Sequence, residues 1–221
     1  MEDCRFKSPF TCLIAGASGS GKTTLIEEMI KRWKEVFDHR PTKIYIAYSH
    51  SQPKYESIKN NAPCEVVLIE GLPEDLVTDE YSLLIIDDLA ETHASQIKSF
   101  YTRKSHHLKT DVITINQNLF DKNPFFRTVS LNSHYIIVHK NPRDQSQIIH
   151  LAKQIAPGDT EFLVFSFHDA TRRPYTYLLC DLKQSTNNLL RIRSSVFPIE
   201  ATVYVSKKKT VIMHYGLKNC T

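Results

Sequence analysis

The chain has 221 residues, 41% hydrophobic and 24% charged, which suits one α/β domain with a full core and is too short for two large ones. A formal net charge of +4 admits a nucleic-acid partner but falls short of a dedicated DNA-coating protein. The cysteines (Cys4, Cys12, Cys64, Cys180, Cys220) contain no Cys-x-x-Cys pair, so neither a disulfide framework nor a zinc ribbon is indicated, and the adjacent His106 and His107 are poorly spaced for one metal.

The charged N-terminus lacks an apolar core segment and no apolar run approaches the ~18 residues of a membrane span, so the expectation is a soluble protein of a reducing compartment. Phe10 to Ala15 reads as a short apolar strand running into a glycine-rich loop. A helix is expected from Thr23 to about Phe37, with Leu25, Ile26, Met29, Ile30 and Trp33 on one stripe. Further strands are expected at Lys43 to Tyr48, Glu65 to Ile69 and Ser82 to Ile86, the last apolar enough to be buried on both faces. A polar helix follows over Leu89 to Tyr101, then strands at Asp111 to Asn116 and His134 to His139. Gln145 to Gln154 and Asp159 to Phe167 read as helices, and Tyr177 to Asp181 and Leu189 to Arg193 as late strands. Strands alternating with helices imply an α/β fold with a mostly parallel sheet covered on both faces. Residues 1–198 are read as one domain, and 199–221 as a tail that is either an edge hairpin or mobile.

Residues Gly16, Ala17, Ser18, Gly19, Ser20, Gly21, Lys22 and Thr23 spell GxxxxGK[ST] between a strand and a helix, the context that makes the motif a P-loop, with Thr24 next in line. The glycines let successive N–H groups face phosphates, the helix start adds its positive dipole end, Lys22 reaches the β- and γ-phosphates, and the Thr23 hydroxyl ligates Mg²⁺. The expected ligands are therefore ATP and Mg²⁺. Leu83 to Asp88 is an apolar strand ending in two acids, the Walker B pattern. Asp87 is placed to hold Mg²⁺ and Asp88 to act as general base, with Glu91 as the alternative base; an acid here can also simply favour the start of the next helix. Gln117, just past a strand end, is a candidate to sense the γ-phosphate or orient the lytic water. The loop, Asp87 and Gln117 all fall at carboxyl ends of strands, where open α/β sheets bind ligands.

Three blocks carry a family resemblance: Asp111-Val-Ile-Thr-Ile-Asn-Gln-Asn-Leu-Phe120, Phe126-Arg-Thr-Val-Ser-Leu-Asn-Ser-His-Tyr135, and Lys140-Asn-Pro-Arg-Asp144 with Gln147-Ile148. Over about Pro9 to Pro198 the chain resembles viral genome-packaging ATPases of the FtsK–HerA superfamily, in the poxvirus-type branch that includes copies in Maverick/Polinton-type elements. The resemblance implies a RecA-like sheet with the sensor strand between the P-loop and Walker B strands, and Gln117 at the sensor position. It implies double-stranded DNA as partner, bound without sequence preference, and a homo-oligomeric ring, usually a hexamer, acting at a capsid or portal-like vertex. It also implies a place inside an infected host cell, in nucleus or cytoplasm, and association with the virion. Each ATP site would be completed by an arginine from the neighbouring subunit, with Arg127 the first candidate, Arg103 the second and Arg143 the third, since no in-chain arginine is expected beside the P-loop. Walker B ends in Asp-Asp here where related translocases usually have Asp-Glu, and Asp reaches one methylene less far.

Arg103, Lys104, His106, His107 and Lys109 form a basic cluster able to grip phosphates, and Lys207 to Lys209 form another; such clusters are more often solvated faces. Two other classes compete with the packaging motor. A P-loop nucleotide kinase would need an acceptor pocket and an arginine-rich lid, neither of which is legible. A non-hydrolysing, ATP-switched DNA-binding or assembly factor would have little use for the Asp87–Asp88 pair.

Overall fold

The computed structural model describes residues 3–74, 76–120 and 123–207. Six strands, β1 (Thr11–Ala15), β2 (Ile44–Tyr48), β3 (Val66–Glu70), β4 (Leu83–Asp87), β5 (Asp111–Asn116) and β6 (Tyr135–His139), run parallel. Three more, β7 (Tyr177–Asp181), β8 (Ile192–Arg193) and β9 (Val203–Tyr204), extend them antiparallel. The sheet order is β3-β2-β4-β5-β1-β6-β7-β8-β9, so the strand before Gln117 lies between the P-loop strand and the Walker B strand. This is the mostly parallel, helix-covered sheet of a P-loop NTPase.

Burial on both faces explains why β4 is a continuous apolar run up to Asp87 with no polar alternation. One face presents Leu13, Leu84, Ile86 and Val112 to the helices α4 (Ala90–Ser99), α6 (Pro124–Leu131), α7 (Ser146–Ile155) and α8 (Thr160–Ala170), through Ile97, Phe126, Leu151 and Leu163. The other presents Ile14, Ile85, Ile113 and Ile115 to α1 (Lys22–Lys31), α2 (Trp33–Val36) and α3 (Pro53–Asn61), through Ile26, Met29, Val36 and Ile58. Fully burying each such side chain contributes roughly 1.5–3 kcal/mol, so the register that aligns them is strongly fixed. The register pairs Ala15 with Asn116 and Asp87 with Ile115. The P-loop, the two acids and Gln117 therefore emerge side by side at one end of the sheet.

Several elements differ from the sequence reading. The expected helix over Thr23 to Phe37 breaks at Arg32, whose φ of −104° and ψ of 34° leave the helical region, giving α1 and α2. The helix expected to stop at Tyr101 continues through a π-helical turn (Phe100–Lys104) into α5 (Ser105–Leu108), ending at Lys109 with a left-handed φ of 49°. The extra residue in that turn lets Phe100 and Tyr101 both be buried, and the Tyr101 hydroxyl donates to the Cys12 carbonyl at 2.6 Å. The late strand shrinks to Ile192–Arg193. Residues 199–207 of the expected tail include β9, the sheet's last strand; Lys208 and Lys209 lie outside the described residues. No helix among the described residues is long and apolar enough to cross a membrane.

Candidate nucleoside triphosphate site

The loop from Gly16 to Gly21 leaves β1 and turns into α1 through two left-handed glycines, Gly19 with φ 74° and Gly21 with φ 98°. Gly16 allows a close approach instead: a Cβ there would meet the Cβ of His139 at 2.6 Å. Lys22 folds back over the loop, donating to the Gly16 carbonyl at 2.6 Å and the Ala17 carbonyl at 3.0 Å. Burial pulls its pKa below the usual lysine value, while Asp87 and Asp88 pull it upward. The loop opens on a cavity of about 1190 Å³ whose walls include Ser18 to Thr24, Asp87, Asp88 and Gln117.

Asp87 and Asp88 are neighbours with different surroundings. Asp87 is 5% exposed and accepts a hydrogen bond from the Tyr55 hydroxyl at 2.8 Å. Burial raises its pKa above the ordinary aspartate value, and the Tyr55 hydrogen bond opposes that. Asp88 is exposed, with a left-handed φ of 55° that Asp tolerates better than most side chains. The donor set suits a magnesium nucleotide: Thr23 and Asp87, hard oxygen ligands of the kind Mg²⁺ takes alongside phosphate oxygens, both line the cavity, with Lys22 as the cation beside them. Glu91, exposed in the first turn of α4, is outside the cavity wall, as suits an acid at a helix start.

Of the arginines expected from a neighbour, Arg127 is exposed on α6 and Arg143 exposed in the turn after β6, and neither lines the cavity of its own chain. Arg103 lies in the π-helical turn that leads toward the start of β5, at the opposite end of the sheet from the P-loop. The expectation that no in-chain arginine sits beside the P-loop is overturned: Arg172 and Arg173, in the turn after α8, both line the cavity. Arg172 is paired with Asp169 at 2.6 Å. Arg103, Lys104, His106 and His107 of the basic cluster lie on the helical run through the π-helical turn into α5, and Lys109 just past its end is paired with Glu80 at 2.5 Å.

Sequence reasoning also missed Tyr55, Tyr175 and His139. Tyr55 rides on α3, whose polar sequence gives little apolar periodicity; its one signal is Pro53 at the helix start. Tyr175 follows Arg172-Arg173-Pro174, which reads only as a turn.

The protein-family model described as viral superfamily 1 RNA helicase core domain matches residues 12–123. Among solved structures, the genome packaging NTPase B204 of Sulfolobus turreted icosahedral virus 2, in complex with ATP-gammaS, aligns with a TM-score of 0.51 at 15% identity, over 89% of this chain and 97% of that one. The DNA-packaging ATPase B204 of Sulfolobus turreted icosahedral virus aligns with a TM-score of 0.52 at 16% identity and the same coverage. At such identity the likeness is one of fold. No curated protein sequence matches the chain.

Proposed function

This chain belongs to the viral superfamily 1 RNA helicase core family, and we propose that within it the chain is an ATP-driven translocase of double-stranded DNA that packages a viral or viral-like genome into a capsid. The observation that carries the ATPase part is the convergence of the P-loop, Asp87, Asp88 and Gln117 on one cavity. The packaging part is supported by the fold shared with B204 and by the Gln117-Asn-Leu-Phe120 and Lys140-Asn-Pro-Arg-Asp144 blocks, which also motivate the poxvirus-type branch. On this reading the working form is a homo-oligomeric ring of six at a capsid or portal-like vertex, inside an infected cell. Cys12, Cys64 and Cys180 are free thiols, which suits a reducing compartment.

Bound ATP and Mg²⁺ supply the reactive phosphoryl group and its countercharge. Thr23 and Asp87 would hold the metal, and Lys22 would move from the Gly16 and Ala17 carbonyls to the phosphates. Asp88, exposed at the cavity, would accept the proton of a water oriented by Gln117 as that water's oxygen bonds to the γ-phosphorus and ADP leaves.

The family match favours a second reading, an NTPase driven by RNA. Phosphate release measured with double-stranded DNA and with single-stranded RNA separates the two. The packaging reading expects stimulation by DNA of any sequence, falling steeply between low and moderate salt. Stimulation by RNA alone would move the protein to the helicase reading. Turnover that responds only to a small phosphate acceptor would make it a kinase, and no turnover at all would leave an ATP-switched assembly factor.

A further inference from the structure

The strand order fixes which end of the cavity receives which end of the nucleotide. β4 and β5, which bring Asp87, Asp88 and Gln117, lie on one side of β1, and β6 to β9 lie on the other. The acids mark the γ-phosphate end, so a triphosphate on the Gly16–Thr23 loop turns its nucleoside toward β7, β8 and β9. That wall includes Tyr175, Thr176, Ser194, Thr202 and Tyr204, with the charged Asp169, Arg172, Arg173 and Glu200 in the same lining.

Tyr175 is the unusual residue there. Its φ of 64° is left-handed, a conformation that bulky side chains rarely adopt and that concentrates at ligand clamps. It leaves the side chain 73% exposed, with its Cβ 3.4 Å from where a Cβ on Gly21 would stand. A flat ring is thus held in the open at the cavity wall, against the last P-loop glycine. Among the described residues no aromatic or cationic side chain packs on it. The hydroxyls around it are partly committed: Thr176 donates to the Arg173 carbonyl at 2.7 Å and Tyr204 to Asp169 at 2.8 Å, while Ser194 Oγ accepts from the Thr202 N–H at 2.9 Å.

We propose that Tyr175 is a nucleobase-stacking residue of this site, and that holding the base by stacking makes the site tolerant of base identity. The proposal rests on the NTPase reading of the P-loop. Stacking on an aromatic ring is indifferent to base type because every base offers a π-face.

The test measures binding of ATP, GTP and inorganic tripolyphosphate to the full chain and to Tyr175→Ala, Tyr175→Phe and Lys22→Ala. Tyr175→Ala is expected to weaken ATP and GTP alike, on the order of 10-fold. Tripolyphosphate, which has no base, should bind it as it binds the unchanged protein, and Tyr175→Phe should bind all three normally. Unchanged ATP binding by Tyr175→Ala would overturn the stacking role. Equal loss of tripolyphosphate would reduce Tyr175 to a support for the loop, and loss of ATP without loss of GTP would overturn base tolerance. Lys22→Ala tests the premise separately: it should lose ATP and tripolyphosphate together, and retention of both would remove the P-loop reading itself.

Discussion

Asp87 and Asp88 follow one another in the chain, yet one is buried under Tyr55 and the other stands open with a left-handed backbone. A buried, oriented carboxylate suits a metal and an exposed one suits water, so the two proposed roles separate by environment. Asp88→Asn keeps size and polarity but removes the proposed base; ATP binding should persist while turnover falls by roughly 10²–10⁴-fold, with Glu91→Gln close to normal. The reverse pattern in steady-state assays would make Glu91 the base. Tyr55→Phe removes only the hydroxyl that orients Asp87. The Mg²⁺ concentration giving half-maximal turnover should then rise about 10-fold, with turnover restored at saturating Mg²⁺. A fall in turnover that Mg²⁺ does not reverse would assign Tyr55 a purely structural role. The acids were legible because an apolar run ending in Asp-Asp is itself a signal. Tyr55 was not, because what brings it to Asp87 is the packing of α3 against α1.

At the scale of elements, β6 is framed by two histidines that burial keeps neutral. His134, just before the strand, accepts the Thr11 N–H on Nδ1 at 3.0 Å, which protonation of that atom would forbid. His139, at its end, is 1% exposed against Gly16. Desolvation lowers each to about 4, assisted by Lys183 and His106 near His134 and by Lys22 near His139. The unfolded chain binds those protons near the ordinary value of 6.5, so between about 4 and 6.5 it holds more protons than the folded one. Their contribution to stability is therefore intact above 6.5 and is lost as pH falls toward 4. Asp87, Asp111 and Asp181, raised by burial, act in the opposite sense, so the informative quantity is a difference between variants. Between pH 7.5 and 5, the Tm of His134→Asn should fall less than that of the unchanged protein, by roughly 5 °C. Equal falls in thermal melts would show that His134 is protonated in the fold. The parallel strands were legible as apolar runs, whereas α6 was not: its helical stripe through Phe126 and Val129 follows a loop and is only eight residues long. The π-helical turn left no sequence signal, because inserting a residue in a helix changes phase without changing composition.

For the whole molecule, the sheet has two poles with different content. The nucleotide cavity occupies the carboxyl ends of the strands, while Arg103, His106 and His107 are exposed near the start of β5, at the other pole. A basic cluster in sequence says nothing of which pole it reaches, which is why its distance from the nucleotide was not legible. The same limit applied to Arg172 and Arg173, brought to the cavity by a chain reversal after α8. Their presence gives the shared-site expectation a rival within the chain. Cleavage of the γ-phosphate spreads negative charge, and one well-placed arginine is worth about 10³–10⁵ in rate, so the source of that arginine decides whether subunits must cooperate. Arg127 is exposed and outside its own cavity, as an arginine serving a neighbour must be, whereas Arg173 shares a cavity with Lys22. Arg127→Ala and Arg173→Ala should each be assayed alone and then mixed with Lys22→Ala. If Arg127 acts on the neighbour, its variant is inactive alone and regains part of its turnover in the mixture, because the Lys22 variant still presents an intact Arg127 to the next P-loop. Arg173→Ala should gain nothing, since its defect and that of Lys22→Ala both fall on the subunit's own cavity. Rescue of Arg173→Ala with none for Arg127→Ala would reverse the assignment. If neither is rescued while both remain assembled, each ATP site is complete within one chain.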